Sequence, residues 1–219
     1  MATAIQKLKA DPGNASLFPM FVKLQGRPVL VVGAGRVGEP KIRALLETGA
    51  SIRVVALEAS ERVRGWSRSG VIVLEERSFV PADLDGAFLA VIATSRRELN
   101  QLAYVEAQKR GVLCNVVDVP EQCDFYYPAI VQRGDLQIAI STSGQSPALA
   151  RHLREQLEKQ FGPGYADWVA ELGETRRKIL KSNLSRDQKR ELLMSLAARP
   201  AFERMLAANS NHHNEGDAA

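Results

Sequence analysis

The apolar positions of the chain fall into short runs separated by stretches with helical spacing. Five mainly apolar runs predict strands, and they cover residues 28–32, 52–57, 71–74, 87–94 and 112–117. The first run is unbroken, as expected for a strand that is buried on both faces. Ile42, Leu45 and Leu46 follow the first run at helical spacing. Residues 17–22 are also apolar and are expected to pack against the sheet edge. Because parallel strands require helical crossovers, the alternation predicts an α/β fold with a doubly wound parallel sheet.

The pattern changes after residue 118. Two apolar runs, at 129–132 and 136–141, are joined by Arg133-Gly134-Asp135, which predicts a β-hairpin or a bent strand pair outside the parallel sheet. A two-stranded sheet is only marginally stable in water, so a second copy of the chain is expected to cover it. The predicted domains are an α/β domain at 17–118, a small β dimerisation segment at 119–145, a C-terminal helical domain at 146–208, and flexible termini at 1–16 and 209–219.

Serine residues mark the starts of three predicted helices. Ser146 stands directly before a proline and is expected to be an N-cap. Ser95 with Glu98, and Ser185 with Gln188, have the spacing of a capping box. These signals predict helices that begin after residues 95, 146 and 185.

A glycine motif lies between the first strand and the first helix. It reads Gly33-Ala34-Gly35-Arg36-Val37-Gly38 and has the form G-x-G-x-x-G. Gly33 allows a tight turn, Gly35 allows a pyrophosphate to approach the backbone, and Gly38 allows the helix to lie close to the sheet. The N–H groups at the helix start then hold the phosphates. The order of strand, glycines and helix predicts a Rossmann-like dinucleotide site; the alternative is a glycine-rich turn without a ligand.

An acidic residue at the end of the second run bears on which dinucleotide is bound. Glu58 lies twenty residues beyond Gly38. A carboxylate there can accept hydrogen bonds from the adenosine ribose and repels a 2′-phosphate. The sequence therefore predicts NAD as the cofactor rather than NADP.

Polar residues at the ends of the later strands are candidates for the chemistry. Asp118 follows the fifth apolar run, and ligands of doubly wound sheets bind at the carboxyl ends of the strands. A carboxylate beside the nicotinamide can accept the proton that is lost with a hydride. The alternative is an aspartate that caps a turn before Pro120. Thr94 and Asn115 are expected near the same cleft, Thr94 at the cofactor and Asn115 at the substrate, unless either only satisfies backbone groups.

A hydroxyl-rich stretch precedes the helix that begins after Ser146. Ser141, Thr142 and Ser143, with the N–H groups of the helix start, suit a carboxylate of the substrate. Arg151 is a candidate basic partner on that helix, and a solvated charged surface is the alternative.

Composition narrows the class of protein. The chain has 219 residues, a net charge of +4 and two cysteines, Cys114 and Cys123, without disulfide or metal spacing. Cys114 lies in an apolar run and is expected to be a buried free thiol. No apolar run reaches the length of a membrane helix, and the first residues lack a signal core, so we expect a cytoplasmic protein without a membrane partner. Arginine-rich tracts with aromatics are absent, which disfavours nucleic acid. We predict no metal site and assign no role to His152, His212 or His213.

Four stretches in order carry a resemblance to a known family. They are LQGRPVLVVGAGRVG, FLAVIAT, CNVVD and FYYPAIVQRGDLQIAISTSGQSPALAR. With them the chain resembles the precorrin-2 dehydrogenase family, the N-terminal module of siroheme synthase, over about residues 17–160. The resemblance implies a homodimer that oxidises precorrin-2 to sirohydrochlorin with NAD, in siroheme biosynthesis. Some members of the family also insert ferrous iron.

The resemblance also implies roles for individual residues. It places Arg36, Val37, Leu57 and Glu58 at NAD and makes Asp118 the catalytic acid. It also places Ser141, Thr142 and Ser143 near the substrate, so the segment 119–145 is expected to contact substrate as well as to form the dimer. Thr142 stands where a relative has serine. Two alternatives stay open: a bifunctional enzyme that also acts as a ferrochelatase, and an NAD-sensing regulatory dimer without catalysis.

Overall fold

The computed structural model describes residues 17–198 and 200–203. These residues form two compact units that divide between Tyr127 and Pro128. The loop that follows Asp118 therefore belongs to the first unit. The flexible termini expected at 1–16 and 209–219, with His212 and His213, lie outside the described residues.

A five-stranded parallel sheet forms the centre of the first unit. Its strands are β1 (Pro28–Ala34), β2 (Ser51–Ala59), β3 (Val73–Glu76), β4 (Leu89–Ile92) and β5 (Leu113–Val116). The strands lie in the order β3-β2-β1-β4-β5, and every neighbouring pair is parallel. The order reverses beside β1, so a crevice opens between the carboxyl ends of β1 and β4. The predicted doubly wound fold is confirmed.

Both faces of this sheet are covered. Val29 and Val31 of β1 belong to one apolar cluster, whereas Leu30 and Val32 belong to another. The helices are α1 (Gly38–Leu46), α2 (Glu61–Arg68) and α3 (Arg97–Arg110), with 3-10 turns at Pro81–Leu84 and Pro120–Gln122. Buried side chains of α1 and α2 join the first cluster, and those of α3 join the second. Since successive side chains of a strand point to opposite faces, the continuous apolar runs are explained.

Three local predictions for this unit are wrong. The third strand is Val73–Glu76 and not 71–74, because its pairing with β2 runs from Arg53 opposite Val73 to Ala56 opposite Glu76. The helix predicted to open at a Ser95 capping box has Arg96 as its N-cap, without a side-chain cap. Residues 17–22 do not pack on the sheet edge: Phe18 is 81% exposed, and the first buried side chain is Leu24.

The second unit combines a hairpin with helices. Its elements are β6 (Ala129–Arg133), β7 (Leu136–Ile140), α4 (Pro147–Gln160), α5 (Tyr165–Lys181) and α6 (Arg186–Leu196). The two strands pair antiparallel, as predicted, and the turn between them contains Gly134 with a φ of 54°. Ser146 and Ser185 are the N-caps that the sequence predicts. None of the described helices has the length and apolarity needed to cross a bilayer.

Hydrogen bonds of Arg133 and a group of aromatic rings stabilise the second unit. The Arg133 guanidinium donates to the carbonyl oxygens of Phe161 and Glu158, at 2.8 and 3.2 Å, and so ties β6 to the end of α4. A cation at the C-terminus of a helix also faces the negative end of its dipole. The rings of Tyr165, Trp168 and Phe202 form an aromatic cluster. Tyr165 and Phe202 are tilted with centroids 4.2 Å apart, and Tyr165 meets Trp168 edge to face.

Candidate functional site

A cavity of about 530 Å³ opens at the carboxyl edge of the parallel sheet. It lies in the first unit, at the crevice where the strand order reverses. Most of the residues predicted for the cofactor line it, together with the predicted catalytic acid; they are Gly33, Gly35, Arg36, Val37, Leu57, Glu58, Thr94 and Asp118. The fold thus brings to one cavity residues that are up to 85 positions apart in the sequence.

The three glycines of the motif meet three different requirements. Gly33 has a φ of 104°, and a Cβ there would lie 2.5 Å from the Ala93 carbonyl oxygen. Gly38 is buried outside the cavity lining, and a Cβ on it would overlap the Gly33 carbonyl. A Cβ on Gly35 would meet nothing within 4 Å. The protein's own packing therefore requires Gly33 and Gly38, whereas it places no such limit on the side chain at position 35.

The start of α1 is open to an anion. Its N-cap residue, Val37, makes no side-chain hydrogen bond to the helix. The positive end of the helix dipole lies at this end of α1, beside the cavity-lining residues Gly35 to Val37. The Glu39 N–H is already bonded to the Gly35 carbonyl at 2.9 Å, and Pro40 has no N–H, so an anion here would be held mainly by the loop and the helix dipole. Arg36, which is exposed in the same loop, adds a positive charge. A cavity with this wall fits the pyrophosphate of a dinucleotide.

The cavity wall at the end of β2 carries the Glu58 carboxylate and the Arg77 guanidinium, and Arg77 is already paired with acidic residues of the protein. Leu57 and Glu58 are both exposed there. Arg77 lines the same cavity, but it donates to Glu75 at 2.6 Å and to Asp83 at 2.5 Å. Hydrogen bonds to Asp83 and Glu75 raise the pKa of Arg77 above its usual value. The Arg77 charge is thus neutralised within the protein.

Asp83 is the buried centre of this ion-pair network. Its side chain is 3% exposed and accepts hydrogen bonds from Arg77, Arg53 and the Val80 N–H. Burial opposes ionisation, but the hydrogen bonds from Arg77 and Val80 and the charges of Arg77 and Arg53 hold the pKa of Asp83 below its usual value. Sequence reasoning missed this network, because its members lie on separate elements without a motif.

Thr94 contributes to the cavity wall, but its hydroxyl is engaged inside the protein. The Thr94 hydroxyl donates to the Asn100 side-chain oxygen at 2.5 Å and accepts from the Arg96 N–H at 3.2 Å. The Asn100 amide donates back to the Thr94 carbonyl at 3.1 Å. These bonds fix the turn into α3, so the geometry gives the hydroxyl a structural role. Thr94 still lines the cavity, through atoms other than its hydroxyl group.

Asp118 stands in the cavity wall in an unusual backbone conformation. Its φ is 64°, in a tight turn closed by a hydrogen bond from the Val119 N–H to the Val116 carbonyl. Aspartate tolerates the left-handed region better than most residues. Within the described part of the chain, the Asp118 carboxylate accepts no hydrogen bond that would mark it as a cap. The turn therefore presents a carboxylate to the cavity.

Lys41 is a residue near this site that the sequence analysis did not single out. It is half-buried on α1, and its Nζ lies 3.8 Å from the centre of the Tyr127 ring. Burial lowers the pKa of Lys41, and the charge of Asp118 partly opposes that shift. A lysine on an amphipathic helix carries no signal of its own, so the sequence alone does not distinguish it from a surface residue.

Asn115 is placed differently from the prediction of a substrate contact. It is only 6% exposed, and its amide donates to the Phe125 carbonyl at 2.8 Å and to the Cys123 sulfur at 3.3 Å. It holds the loop after Pro120 against β5 and is not among the cavity-lining residues. The geometry thus favours a structural role for Asn115. Cys114 is a buried free thiol, as predicted, and burial raises its pKa to about 12.

The hydroxyl-rich stretch in the second unit forms its own turn before α4. Ser141 Oγ accepts from the Ser143 N–H at 3.1 Å, and Thr142 Oγ1 accepts from the Ser146 N–H at 3.1 Å. Ser146 Oγ in turn caps the helix by accepting from the Leu149 N–H at 3.2 Å. Arg151 is 77% exposed and pairs with Glu155 one turn further along, at 2.9 Å. Ser141, Ser143 and Arg151 are thus exposed and Thr142 is half-buried, and each uses part of its bonding capacity locally.

Comparison with known proteins assigns the chain to a family. A family model described as putative NAD(P)-binding matches residues 20–129, and one described as sirohaem biosynthesis protein central matches residues 133–160. The solved structure of SirC, precorrin-2 dehydrogenase, matches with a TM-score of 0.76 and 30% identity over 85% of this chain and 92% of that one. The chain belongs to the siroheme synthase and precorrin-2 dehydrogenase family. The resemblance stated from the sequence is thereby confirmed, and the first unit is an NAD(P)-binding domain.

Several siroheme synthases are similar to this chain in sequence. Siroheme synthase 1 of Aeromonas salmonicida is 37% identical over 191 residues, which are 87% of this chain and 39% of that protein. Siroheme synthase 1 of Pectobacterium atrosepticum is 41% identical over 166 residues, 76% of this chain and 34% of that protein. The chain spans little more than a third of the length of these curated relatives.

Within 17–198 and 200–203, no three His, Cys, Asp or Glu side chains come together as a possible ligand set.

Proposed function

We propose that this chain is a precorrin-2 dehydrogenase, which oxidises precorrin-2 to sirohydrochlorin with NAD in siroheme biosynthesis. One observation carries the proposal: the open glycine loop, Glu58 and Asp118 line a single cavity at the switch point of the sheet. Ligands of doubly wound folds bind at that point. The family to which the chain belongs supplies the substrate.

In this proposal each part of the cavity has a task. The backbone around Gly35 and the start of α1 hold the pyrophosphate, with Arg36 and Val37 beside it. A bound oxidised nicotinamide supplies the acceptor for the hydride that leaves the substrate. Asp118 accepts the proton that is lost from the substrate in the same oxidation. The reaction balances, because one hydride and one proton account for the two hydrogens removed.

The same cavity supports NAD over NADP. Glu58 is an exposed carboxylate at the end of β2, where the adenosine ribose of a bound dinucleotide lies. A 2′-phosphate there needs an unpaired cation. Arg77 is bound by Glu75 and Asp83 and is therefore a poor partner for a phosphate.

For the second unit we propose a substrate-contacting surface and an interface with a second copy. Ser141, Thr142, Ser143 and Arg151 offer hydroxyl groups and a cation to the carboxylates of the tetrapyrrole. The strands β6 and β7 form a two-stranded sheet whose Ile130 is 46% exposed. A second chain would cover such a sheet and form the homodimer that the family resemblance implies.

Asp118 also supports a second candidate activity, insertion of ferrous iron into sirohydrochlorin. The tetrapyrrole itself provides the metal ligands, so the protein needs only a base that removes the pyrrole protons. A carboxylate in the cavity wall without a hydrogen-bond partner among the described residues can serve as that base. A regulatory NAD sensor, the third hypothesis, has no use for such a group.

An anaerobic assay tests the proposal. The chain is mixed with NAD and precorrin-2, and the absorbance of sirohydrochlorin is followed; ferrous or cobaltous ion is then added to test metal insertion. Absence of sirohydrochlorin, with NAD still bound in calorimetry, would replace the dehydrogenase with the sensor.

The Asp118→Ala variant tests the proposed base. We expect turnover to fall about 10²- to 10⁴-fold, the usual contribution of a general base, with NAD affinity unchanged. Glu121→Ala is the matched control, because Glu121 is an exposed carboxylate three residues further along. An Asp118→Ala variant that oxidises precorrin-2 at the normal rate would remove Asp118 from the mechanism.

A further inference from the structure

Arg77 directly follows β3 and lines the cavity together with Glu58, and its guanidinium makes five hydrogen bonds inside the protein. Nε donates to Glu75 at 2.9 Å, and Nη2 donates to Glu75 at 2.6 Å and to Asp83 at 2.5 Å. Nη1 donates to the Ser78 carbonyl and to Asp83, both at 2.9 Å. Because a guanidinium has five N–H groups, these bonds equal in number all the donors that Arg77 possesses.

The acceptors of these bonds are themselves fixed. Asp83 is 3% exposed, and its carboxylate also accepts from Arg53 at 3.1 Å and from the Val80 N–H at 2.9 Å. Arg53 in addition forms an ion pair with Glu75 at 3.4 Å. The two arginines therefore face two carboxylates, and this group of four side chains carries no net charge that would attract a phosphate.

The Arg77 side chain is nevertheless 38% exposed and forms part of the cavity wall. Its N–H groups lie in the plane of the guanidinium and are engaged, so a ligand in the cavity meets the flat face of the group or its aliphatic stem. Leu57, Phe79 and Leu99 line the same cavity with apolar side chains. A flat cation next to apolar side chains suits a planar aromatic ring, since a guanidinium stacks on aromatic faces.

The place of Arg77 along the sheet edge indicates which ring this is. The strands β1, β2 and β3 are successive neighbours, and their carboxyl ends lie on one edge, about 5 Å apart. In the proposed function the pyrophosphate lies at the end of β1, and the adenosine ribose lies at Glu58, at the end of β2. The base attached to that ribose then extends toward the end of β3, where Arg77 lies.

We propose that Arg77 binds the adenine of the cofactor, which stacks on the flat face of its guanidinium. Asp83 and Glu75 hold that face in the cavity wall. The same hydrogen bonds leave no Arg77 donor for a 2′-phosphate, so the residue favours an aromatic base and not an anion. This inference rests on the proposed dehydrogenase function, since it takes the cavity to hold a dinucleotide.

The first test follows the Nε–H of Arg77 by ¹H–¹⁵N NMR, with the resonance assigned from its loss in Arg77→Lys. AMP is the probe, and ribose 5-phosphate, which is AMP without its base, is the control ligand. The ring current of a stacked adenine shields a proton that lies over its face. We therefore expect an upfield shift of the Nε proton with AMP and none with ribose 5-phosphate. Absence of a shift with AMP, or equal shifts with both ligands, would overturn the proposal.

Calorimetry with NAD separates this result from the proposed function. A chain that binds NAD but gives no shift with AMP loses only the role assigned to Arg77. A chain that binds no NAD loses the dinucleotide site, and the proposed dehydrogenase with it.

The second test measures NAD affinity by isothermal titration calorimetry. Arg77→Lys keeps the charge but removes the flat face, and we expect the Kd for NAD to rise about three- to tenfold. Arg64→Lys is the matched control, because the Arg64 side chain is 39% exposed and pairs with Glu76 at 2.7 Å but lies outside the lining of the cavity. It should leave NAD affinity unchanged. An Arg77→Lys variant that binds NAD as tightly as the wild type would contradict the proposal.

A third variant serves if Arg77→Lys does not fold around the buried Asp83. Glu75→Ala removes the acceptor of two Arg77 hydrogen bonds and leaves Asp83 paired. The freed N–H groups can then bind a 2′-phosphate, so we expect NADP to gain about threefold relative to NAD in competition binding. Glu76→Ala removes an equal charge from the next position and should leave the ratio unchanged. If Glu75→Ala also left it unchanged, the engaged donors of Arg77 would not explain the cavity, and the proposal would fail.

Discussion

Two turns of this chain each lead into a helix, and they differ in whether side chains cap the N-terminus of that helix. In the first unit, Gly33 to Gly38 precede α1, whose N-cap Val37 offers no side-chain hydrogen bond. In the second unit, Ser141 to Ser146 precede α4, and three hydroxyl groups accept from N–H groups of the turn and the helix start. Both helices present a positive dipole end, but only in the second do side-chain hydroxyl groups cap the turn and the helix start.

The difference shows what separates an anion site from a folded turn. A helix start that is capped by its own side chains has already satisfied some of the donors that a phosphate would use. The glycine loop has no hydroxyl side chain to do this, and at Gly35 the protein leaves the space around a Cβ empty. We therefore expect a change at Gly35 to affect cofactor binding, and changes in the second turn to affect mainly stability.

Gly33→Ala should have the largest effect of this set. The new Cβ would meet the Ala93 carbonyl oxygen at 2.5 Å, at a φ of 104°. Strain of this kind costs about 3 kcal/mol, which corresponds to a fall in Tm of about 6–12 °C for a chain of this size. Differential scanning calorimetry measures it. Gly65→Ala, on α2 where the nearest atom is 3.9 Å away, is the control and should leave Tm unchanged or slightly raised.

Gly35→Val should separate binding from folding. Its side chain would enter space that the protein leaves empty, so Tm should stay within a degree or two of the wild type. NAD affinity should fall at least tenfold, about 1.4 kcal/mol, because the pyrophosphate can no longer approach the backbone. Isothermal titration calorimetry decides the matter. Undiminished NAD binding would mean that the loop is a turn without a ligand.

Ser146→Ala should have the converse result. Loss of the hydrogen bond to the Leu149 N–H should cost about 1 kcal/mol of unfolding free energy in urea, the usual contribution of an N-cap. NAD affinity should not change. Thr142→Ser keeps the hydroxyl that accepts from the Ser146 N–H and is the matched control, with stability close to wild type. If Ser146→Ala weakened NAD binding, the contrast between the two turns would be lost.

Glu58→Gln should produce the smallest effect, at the other end of the cofactor cavity. Removing the charge should improve NADP binding relative to NAD by about threefold, roughly 0.6 kcal/mol, because repulsion of the 2′-phosphate is lost. The gain stays small because Arg77 remains bound by Glu75 and Asp83. Competition binding with both nucleotides measures the ratio. An unchanged ratio would show that Glu58 does not face the ribose.

Much of the first unit was predictable because its signals are local. The apolar run of β1, the glycines and the spacing of α1 lie within twenty residues, and each follows from side-chain period or backbone sterics. The caps Ser146 and Ser185 were likewise predictable, since a cap bonds to N–H groups two or three residues away. The Ser95 capping box was wrong because Thr94 and Asn100, six residues apart, fix that turn instead.

By itself the sequence determined the order of the strands and helices, the glycine loop before α1, and the acids at the ends of β2 and β5. Only the tertiary structure decided that Lys41 contacts the ring of Tyr127, 86 residues later, and that Arg77 forms an ion pair with the buried Asp83. The reason is physical: periodicity records which side of an element is apolar, whereas contacts between distant side chains depend on how the elements pack. The exposed Phe18 makes the same point, because its apolar character predicted burial and the fold of the described chain leaves it uncovered.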